Sequence, residues 1–307
     1  MSVVAAIDCG TNSIRLLVTD GDRDLTREMT IVRLGQGVDR TGRLDPEAVE
    51  RTRLALVGYA KRISVFGVTA LRMVATSATR DASNRADFVS MVRGVLGVDP
   101  EVVSGEEEAR LSYAGATSGV ELAYPALVAD IGGGSTELVL GDGPGRDAVR
   151  AARSVDIGCV RLTERRLHSD PPAPEEVRLA QSDIDAAIAD ARQVVPLGDA
   201  SSFVGLAGSV TTVVAHALGL ASYDAERIHG ARIPAADAYA ACSDLLNRSR
   251  ADRAALPFMH PGRVDVIGGG AMVVAAALAA SGCPELIASE RDILDGIAAG
   301  LLTRLAR

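Results

Sequence analysis

The sequence predicts an α/β protein built from two similar halves, each a layer of mixed strands flanked by helices. The first observation behind this is a repeated design. Ala5-Ala6-Ile7-Asp8-Cys9-Gly10-Thr11-Asn12-Ser13-Ile14-Arg15-Leu16-Leu17-Val18 reads as an apolar strand, an Asp, a small turn ending in Ser, a charged residue seven after the Asp, and a second apolar strand. Val128-Ala129-Asp130-Ile131-Gly132-Gly133-Gly134-Ser135-Thr136-Glu137-Leu138-Val139-Leu140 has the same build. The second observation is that short apolar runs alternate with helix-length periodic segments, the pattern of an α/β layer. The third is size: 307 residues are enough for two domains with their own cores.

In order along the chain, residues 30–34 read as a strand after the first hairpin, followed by a turn-rich stretch over 35–42. Asp45-Pro46-Glu47 starts a helix that runs to about residue 66, with Asp as N-cap and Pro at the first helical position. A strand over 70–75 ends in Thr76-Ser77-Ala78-Thr79-Arg80; Asn84 then caps a helix through Leu96 that Gly97 closes. After a short strand over 101–103, Ser104-Gly105-Glu106-Glu107-Glu108 opens a helix over 109–115, its acids suited to a first helical turn. The pattern restarts over 115–124, and the Asp130 hairpin opens the second half. A strand over 150–157 leads through Gly158 into a helix ending at Leu167, and a proline-rich loop over 168–174 precedes a helix to about residue 194. A strand over 202–207 meets Gly208-Ser209 and the apolar helix 210–218; a further helix follows over 235–248, starting at Pro234. Gly268-Gly269-Gly270 precedes a helix over 271–281, where close packing is the favoured role of the glycines; a strand over 286–289 and a helix over 292–307 finish the chain.

Composition excludes several classes. Hydrophobic residues make up 48%, so the chain is globular, while the longest apolar run, about 271–280, is too short to span a bilayer. No basic, then apolar, leader opens it, and the cytoplasm is the expected compartment. Cys9, Cys159, Cys242 and Cys283 are widely spaced and read as buried thiols, with neither a disulfide framework nor a zinc site. The net charge is −8, Lys61 is the only lysine and aromatics are few, which argues against nucleic acid as a partner. An anionic substrate must therefore meet a local arginine cluster or a metal ion.

Seven stretches taken together resemble one family. They are residues 8–15, Thr76-Ser77-Ala78-Thr79-Arg80, Ser104-Gly105-Glu106-Glu107-Glu108-Ala109-Arg110, residues 130–137, Ile157-Gly158-Cys159-Val160-Arg161-Leu162-Thr163, Gly205-Leu206-Ala207-Gly208-Ser209 and Asp292-Ile293-Leu294-Asp295-Gly296. They look like the exopolyphosphatase and guanosine pentaphosphate phosphatase family, in the form that lacks an extra C-terminal helical domain, within the actin-like ATPase superfamily. The resemblance implies two actin-like (ribonuclease H-like) domains, 1–118 and 119–307, with an active site in the cleft between them. It further implies that the last helix, about 292–307, packs back on the first domain, and that the protein is a homodimer.

Hydrolysis of a phosphoanhydride needs a clamp for the terminal phosphoryl group, a cation and a positioned water. Backbone and hydroxyl groups of Gly10, Thr11, Asn12, Ser13, Gly132, Gly133, Gly134 and Ser135 can form the clamp, since glycine turns let N–H groups approach an anion. Asp130 and Glu137 are suitable oxygen ligands for Mg²⁺ (or Mn²⁺), with Asp8 joining through water. The resemblance makes Glu108 the general base, with Glu107 its neighbour and Glu106 a solvated first-turn acid. Arg15 and Arg80 either touch the phosphates or support the loops that do. Arg110 has a nearby acid as its other reading, and Arg161 an anchoring role at the Gly158 turn. Gly208-Ser209 resembles the superfamily's nucleotide-binding turn. His168, His216, His229 and His260 lack metal-ligand spacing, and neither Ser13 nor Ser135 has a His partner that would make it a nucleophile.

The expected reaction is hydrolysis of the terminal phosphoanhydride of inorganic polyphosphate. The alternatives are a guanosine pentaphosphate 5′-phosphohydrolase, an actin-like kinase or ATPase, and a non-catalytic sensor of guanosine tetra- or pentaphosphate.

Overall fold

The computed structural model describes residues 2–306. These fall into two compact units, residues 2–115 with 293–306, and Ala116–Asp292. In chain order the first unit contains β1 (Val4–Cys9), β2 (Ser13–Thr19), β3 (Asp24–Ile31), α1 (Val38–Thr41), α2 (Pro46–Val65), β4 (Ala70–Ala75), α3 (Ser77–Asp81), α4 (Arg85–Leu96), β5 (Glu101–Val102) and α5 (Gly105–Ala116).

Its sheet has the order β3-β2-β1-β4-β5. The hairpin β1–β2 and its extension β2–β3 are antiparallel, whereas β4 joins β1, and β5 joins β4, in parallel. β1 is buried along its whole length, as a central strand covered on both faces must be. Its alternate residues sort by face. Ala5, Ile7 and Cys9 belong to the cluster that includes Leu56 and Tyr59 of α2 and Phe88 of α4. Val4 and Ala6 belong to a second cluster with Leu111 of α5 and with Ile293, Leu294 and Ile297. α2 starts as its sequence dictates: Asp45 accepts hydrogen bonds from the N–H groups of Glu47 (2.9 Å) and Ala48 (3.2 Å), ahead of Pro46.

The second unit contains β6 (Ala126–Ile131), β7 (Thr136–Gly141), β8 (Val149–Val155), α6 (Cys159–Arg166), α7 (Pro174–Arg192), β9 (Ser202–Leu206), α8 (Ala207–Ala217), α9 (Ala225–Ile228), β10 (Arg232–Pro234), α10 (Ala235–Asn247), α11 (Arg250–Ala254), α12 (Ile267–Ser281) and β11 (Glu285–Ser289). α13 (Ile293–Leu305) then returns the chain to the first unit. The second sheet has the order β10-β11-β9-β6-β7-β8. Its β8-β7-β6-β9 portion repeats the pairing of β3-β2-β1-β4, with two antiparallel pairs and one parallel pair. The chain thus has the two mixed sheets flanked by helices that its sequence predicts. Leu127, Ala129, Leu138 and Phe203 form the strand side of the second core, against α8, α10 and α12. No helix among the described residues is long and apolar enough to cross a membrane.

Several local expectations are corrected. The third strand covers Asp24–Ile31 rather than 30–34, because it is an edge strand none of whose residues is fully buried; Val32 and Leu34, which suggested the strand, are instead buried in the loop beyond it. Residues 77–81, where the sequence predicts only the end of a strand, form the short helix α3. Asn84 stands at the N-cap position of α4, but its side chain makes no capping bond; it accepts from Leu44 N–H (2.8 Å) and donates to Leu44 C=O (3.1 Å), pinning a distant loop. Gly268, Gly269 and Gly270 lie inside α12 rather than before it, and the space a Cβ would need at Gly270 is filled by Ser209 Oγ, 2.3 Å away. Arg307, the end of the expected last helix, lies outside the described residues.

Candidate active site

The two Asp-led turns have one geometry. Gly10 N–H donates to Ser13 C=O at 3.0 Å, and Gly132 N–H donates to Ser135 C=O at 3.1 Å. In each case the Asp pairs in register with the residue seven further on, Asp8 with Arg15 and Asp130 with Glu137.

Each turn is also backed in the same way, by the segment that follows the third strand of its sheet. In the first unit Asn12 C=O accepts from Val32 (3.1 Å) and Arg33 (2.9 Å), and Thr11 C=O accepts from Gly35 (2.8 Å). In the second, Gly132 C=O accepts from Cys159 (3.0 Å), and Gly133 C=O from Val160 (2.9 Å) and Arg161 (3.1 Å). Those last donors are the first N–H groups of α6, which have no partner within their own helix. With the carbonyls turned toward the backing segment, the peptide planes aim turn N–H groups the opposite way. The approach is too close for a side chain: a Cβ at Gly35 would lie 2.3 Å from Thr11 Cγ2, and one at Gly158 would lie 2.5 Å from Gly133 O. Arg33, with φ 50°, and Ala207, with φ 67° at the β9–α8 junction, hold left-handed conformations without being glycine. Such strain concentrates where a backbone must take one particular path.

The charges at the two turns differ. Arg15 donates to Asp8 Oδ2 through Nε (3.1 Å) and Nη2 (2.6 Å), a forked pair within the first unit. Asp130 and Glu137 instead place two buried carboxylates side by side, on the face of the second sheet opposite its main core. The pair therefore fits Mg²⁺, an ion that binds through one or two carboxylates and keeps several waters. No group of three or more His, Cys, Asp or Glu side chains is gathered for a metal among the described residues, so water would complete the coordination. Ser154 lies opposite Glu137 on β8, and its hydroxyl donates to Glu137 Oε1 at 2.7 Å.

The three acids of α5 have three environments. The Glu106 side chain is 68% exposed and pairs with Arg110 at 3.2 Å. Glu107 is 25% exposed and lies 3.5 Å from Arg72. Glu108 is only 10% exposed; its Oε2 accepts from Arg80 Nη1 at 3.0 Å, and the same nitrogen donates to Val103 C=O at 3.1 Å. Arg80 is thus anchored on the base candidate and Arg15 on Asp8. Glu108 shares a helix face with Leu111, which packs in the Val4–Ala6 cluster, and Asp8 continues the Val4–Ala6 row. Both acids accordingly belong to the same side of the first sheet.

The other candidates have structural partners. His216 is 2.6 Å from Asp244, His229 Nδ1 accepts from Glu290 N–H, and His260 Nδ1 accepts from Gly262 N–H. All four cysteines are free and buried. At Gly208, the space beside the helix start is taken by the Arg263 guanidinium, 2.6 Å from where a Cβ would stand. Sequence pattern does not single out Ser154 or Gly35, because the value of each depends on a register or a long-range approach.

The duplicated α/β fold carries an Asp-led glycine turn of the same geometry in each copy. A model of the Ppx/GppA phosphatase family matches residues 18–305, and the chain belongs to that family. It is 50% identical over 316 residues to exopolyphosphatase 2 of Mycobacterium tuberculosis, covering 97% of this chain and 98% of the relative. Among solved structures it is similar to an exopolyphosphatase-like protein, with 44% identity, 99% of each chain covered and a TM-score of 0.96. It is also similar to the PPX-GPPA enzyme of Aquifex aeolicus, with 30% identity, 97% of this chain and 99% of the other covered, and a TM-score of 0.81.

Proposed function

We propose that this protein is an exopolyphosphatase that releases orthophosphate from the end of inorganic polyphosphate, with Glu108 as general base and Asp130 and Glu137 as ligands of Mg²⁺ (or Mn²⁺). The observation that carries the reading is the change of charge between equivalent turns. Where the first unit pairs Asp8 with Arg15, the second sets Asp130 opposite Glu137, two carboxylates of the hard-oxygen kind that suits a divalent cation. The 50% identity to an exopolyphosphatase over nearly the whole chain supports the choice of substrate.

Each of the Gly10–Ser13 and Gly132–Ser135 turns offers backbone N–H groups and a serine hydroxyl suited to phosphoryl oxygens. Glu108 takes a proton from water, whose oxygen attacks the terminal phosphorus as the bond to the bridging oxygen breaks. The shortened chain leaves with that oxygen. Arg80 keeps the Glu108 carboxylate in one orientation, and Arg15 holds that of Asp8, which would join the Mg²⁺ shell through water. When bound, Mg²⁺ neutralises charge on the phosphate oxygens.

Phosphate release from short polyphosphate, long polyphosphate, guanosine pentaphosphate and ATP, measured side by side with Mg²⁺, tests this. Polyphosphate should be turned over fastest. A clear preference for guanosine pentaphosphate would move the substrate assignment, and consumption of ATP with a phosphorylated acceptor would overturn the reaction class. In Glu137→Gln the Mg²⁺ concentration needed for half-maximal rate should rise at least tenfold, in keeping with the loss of a charged ligand.

A further inference from the structure

We infer that Ser154 is a positioning residue that acts through Glu137, setting the direction in which that carboxylate meets a divalent cation; the inference rests on the metal role proposed for Glu137. The register makes the arrangement specific. Leu206 of β9, Asp130 of β6, Glu137 of β7 and Ser154 of β8 form one row across four neighbouring strands. Directly opposed residues on antiparallel strands have Cβ atoms about 5 Å apart, so a serine hydroxyl is the right length to reach a glutamate carboxylate. It does so at 2.7 Å, on Oε1. A glutamate has three side-chain torsions, and an acceptor bond to one oxygen restricts the last of them.

The duplicated fold supplies an internal control. The place of Glu137 in the first unit is taken by Arg15, and the residue opposite Arg15 on the third strand is Met29. A hydroxyl therefore stands at this register position only in the unit where a carboxylate needs to be oriented. Ser154 is also the only hydroxyl residue in β8, whose sequence is Val-Arg-Ala-Ala-Arg-Ser-Val. A partner that orients a ligand changes metal affinity typically 10–100-fold when removed.

The test is Mn²⁺ binding to the substrate-free full-length protein, by calorimetry or by electron paramagnetic resonance, for wild type, Ser154→Ala, Ser154→Thr, Glu137→Gln and the double variant Ser154→Ala/Glu137→Gln. Ser154→Ala should bind Mn²⁺ about tenfold more weakly. Ser154→Thr, which keeps the hydroxyl, should recover most of the affinity, and Ser154→Ala should add little to Glu137→Gln. Raising Mg²⁺ should restore phosphate release in Ser154→Ala, since the defect is in ion binding. Wild-type affinity in Ser154→Ala while Glu137→Gln is impaired overturns the inference and leaves the metal site standing. Wild-type affinity in Glu137→Gln overturns the metal role itself. Equal losses in Ser154→Ala whether or not Glu137 is present would also sink it, because Ser154 would then act by another route.

Discussion

Glu106, Glu107 and Glu108 are consecutive acids that the fold treats differently, and burial decides which of them can do chemistry. A general base must face the reacting water from a fixed position; a side chain that is 68% exposed, as in Glu106, has no such restraint, whereas Glu108 is held by Arg80. Glu108→Gln should lower phosphate release by about 10²–10⁴-fold, the usual contribution of acid–base catalysis, with polyphosphate binding retained. Glu106→Gln should stay close to wild type; comparing kcat and binding for the two variants checks the assignment. Gly158 is the second residue-scale test. In Gly158→Ala the new Cβ would meet Gly133 O at 2.5 Å, so either the turn or the start of α6 must shift. A shift of about 1 Å at a positioned phosphate can cost about 10²-fold in rate, and the steady-state kinetics of Gly158→Ala should show a loss of that order.

At the scale of elements, α2 braces the first turn. The buried Tyr59 hydroxyl lies 2.9 Å from Ile14 C=O, to which it donates, and 3.2 Å from Thr30 Oγ1. Burial pushes its phenol up to about 12, so it remains a neutral donor throughout the physiological range. Tyr59→Phe should cost about 1–2 kcal/mol by leaving buried acceptors unsatisfied, measured by denaturant unfolding. Elements with strong local signals were legible in the sequence. α2 announces itself through Asp45-Pro46, and α4 ends at Gly97 in the left-handed conformation. The third strand was misplaced because an edge strand has no continuous apolar run, and α9, β10 and α11 are too short for periodicity to register. The same contrast holds at the candidate site. Seven-residue spacing revealed the Asp8–Arg15 and Asp130–Glu137 pairs, since a hairpin pairs its own ends. Arg80 with Glu108 and Ser154 with Glu137 join separate elements, and no local pattern encodes either.

For the whole molecule, the return of α13 to the first unit is what makes that unit discontinuous in sequence. Ile297 is fully buried in the cluster formed with Val4, Ala6, Leu17 and Val74. Ile297→Ala should destabilise the first unit by about 2–5 kcal/mol through the cavity it leaves. Limited proteolysis at moderate urea should accordingly cut within residues 2–115 of that variant before it cuts the second unit.

The position of α13 also sets an order of events during synthesis. Domains that are continuous in sequence fold as they emerge, at a translation rate of about 5–20 residues per second. The second unit, Ala116–Asp292, meets that condition, but the first must hold an apolar sheet face without its covering helix until α13 has been made. The delay spans the whole second unit, on the order of ten to forty seconds at those rates. Nascent chains stalled once Asp292 has left the ribosome should carry a protease-resistant second unit and a first unit still bound by trigger-factor-type chaperones. Release of the chaperone should coincide with the emergence of α13.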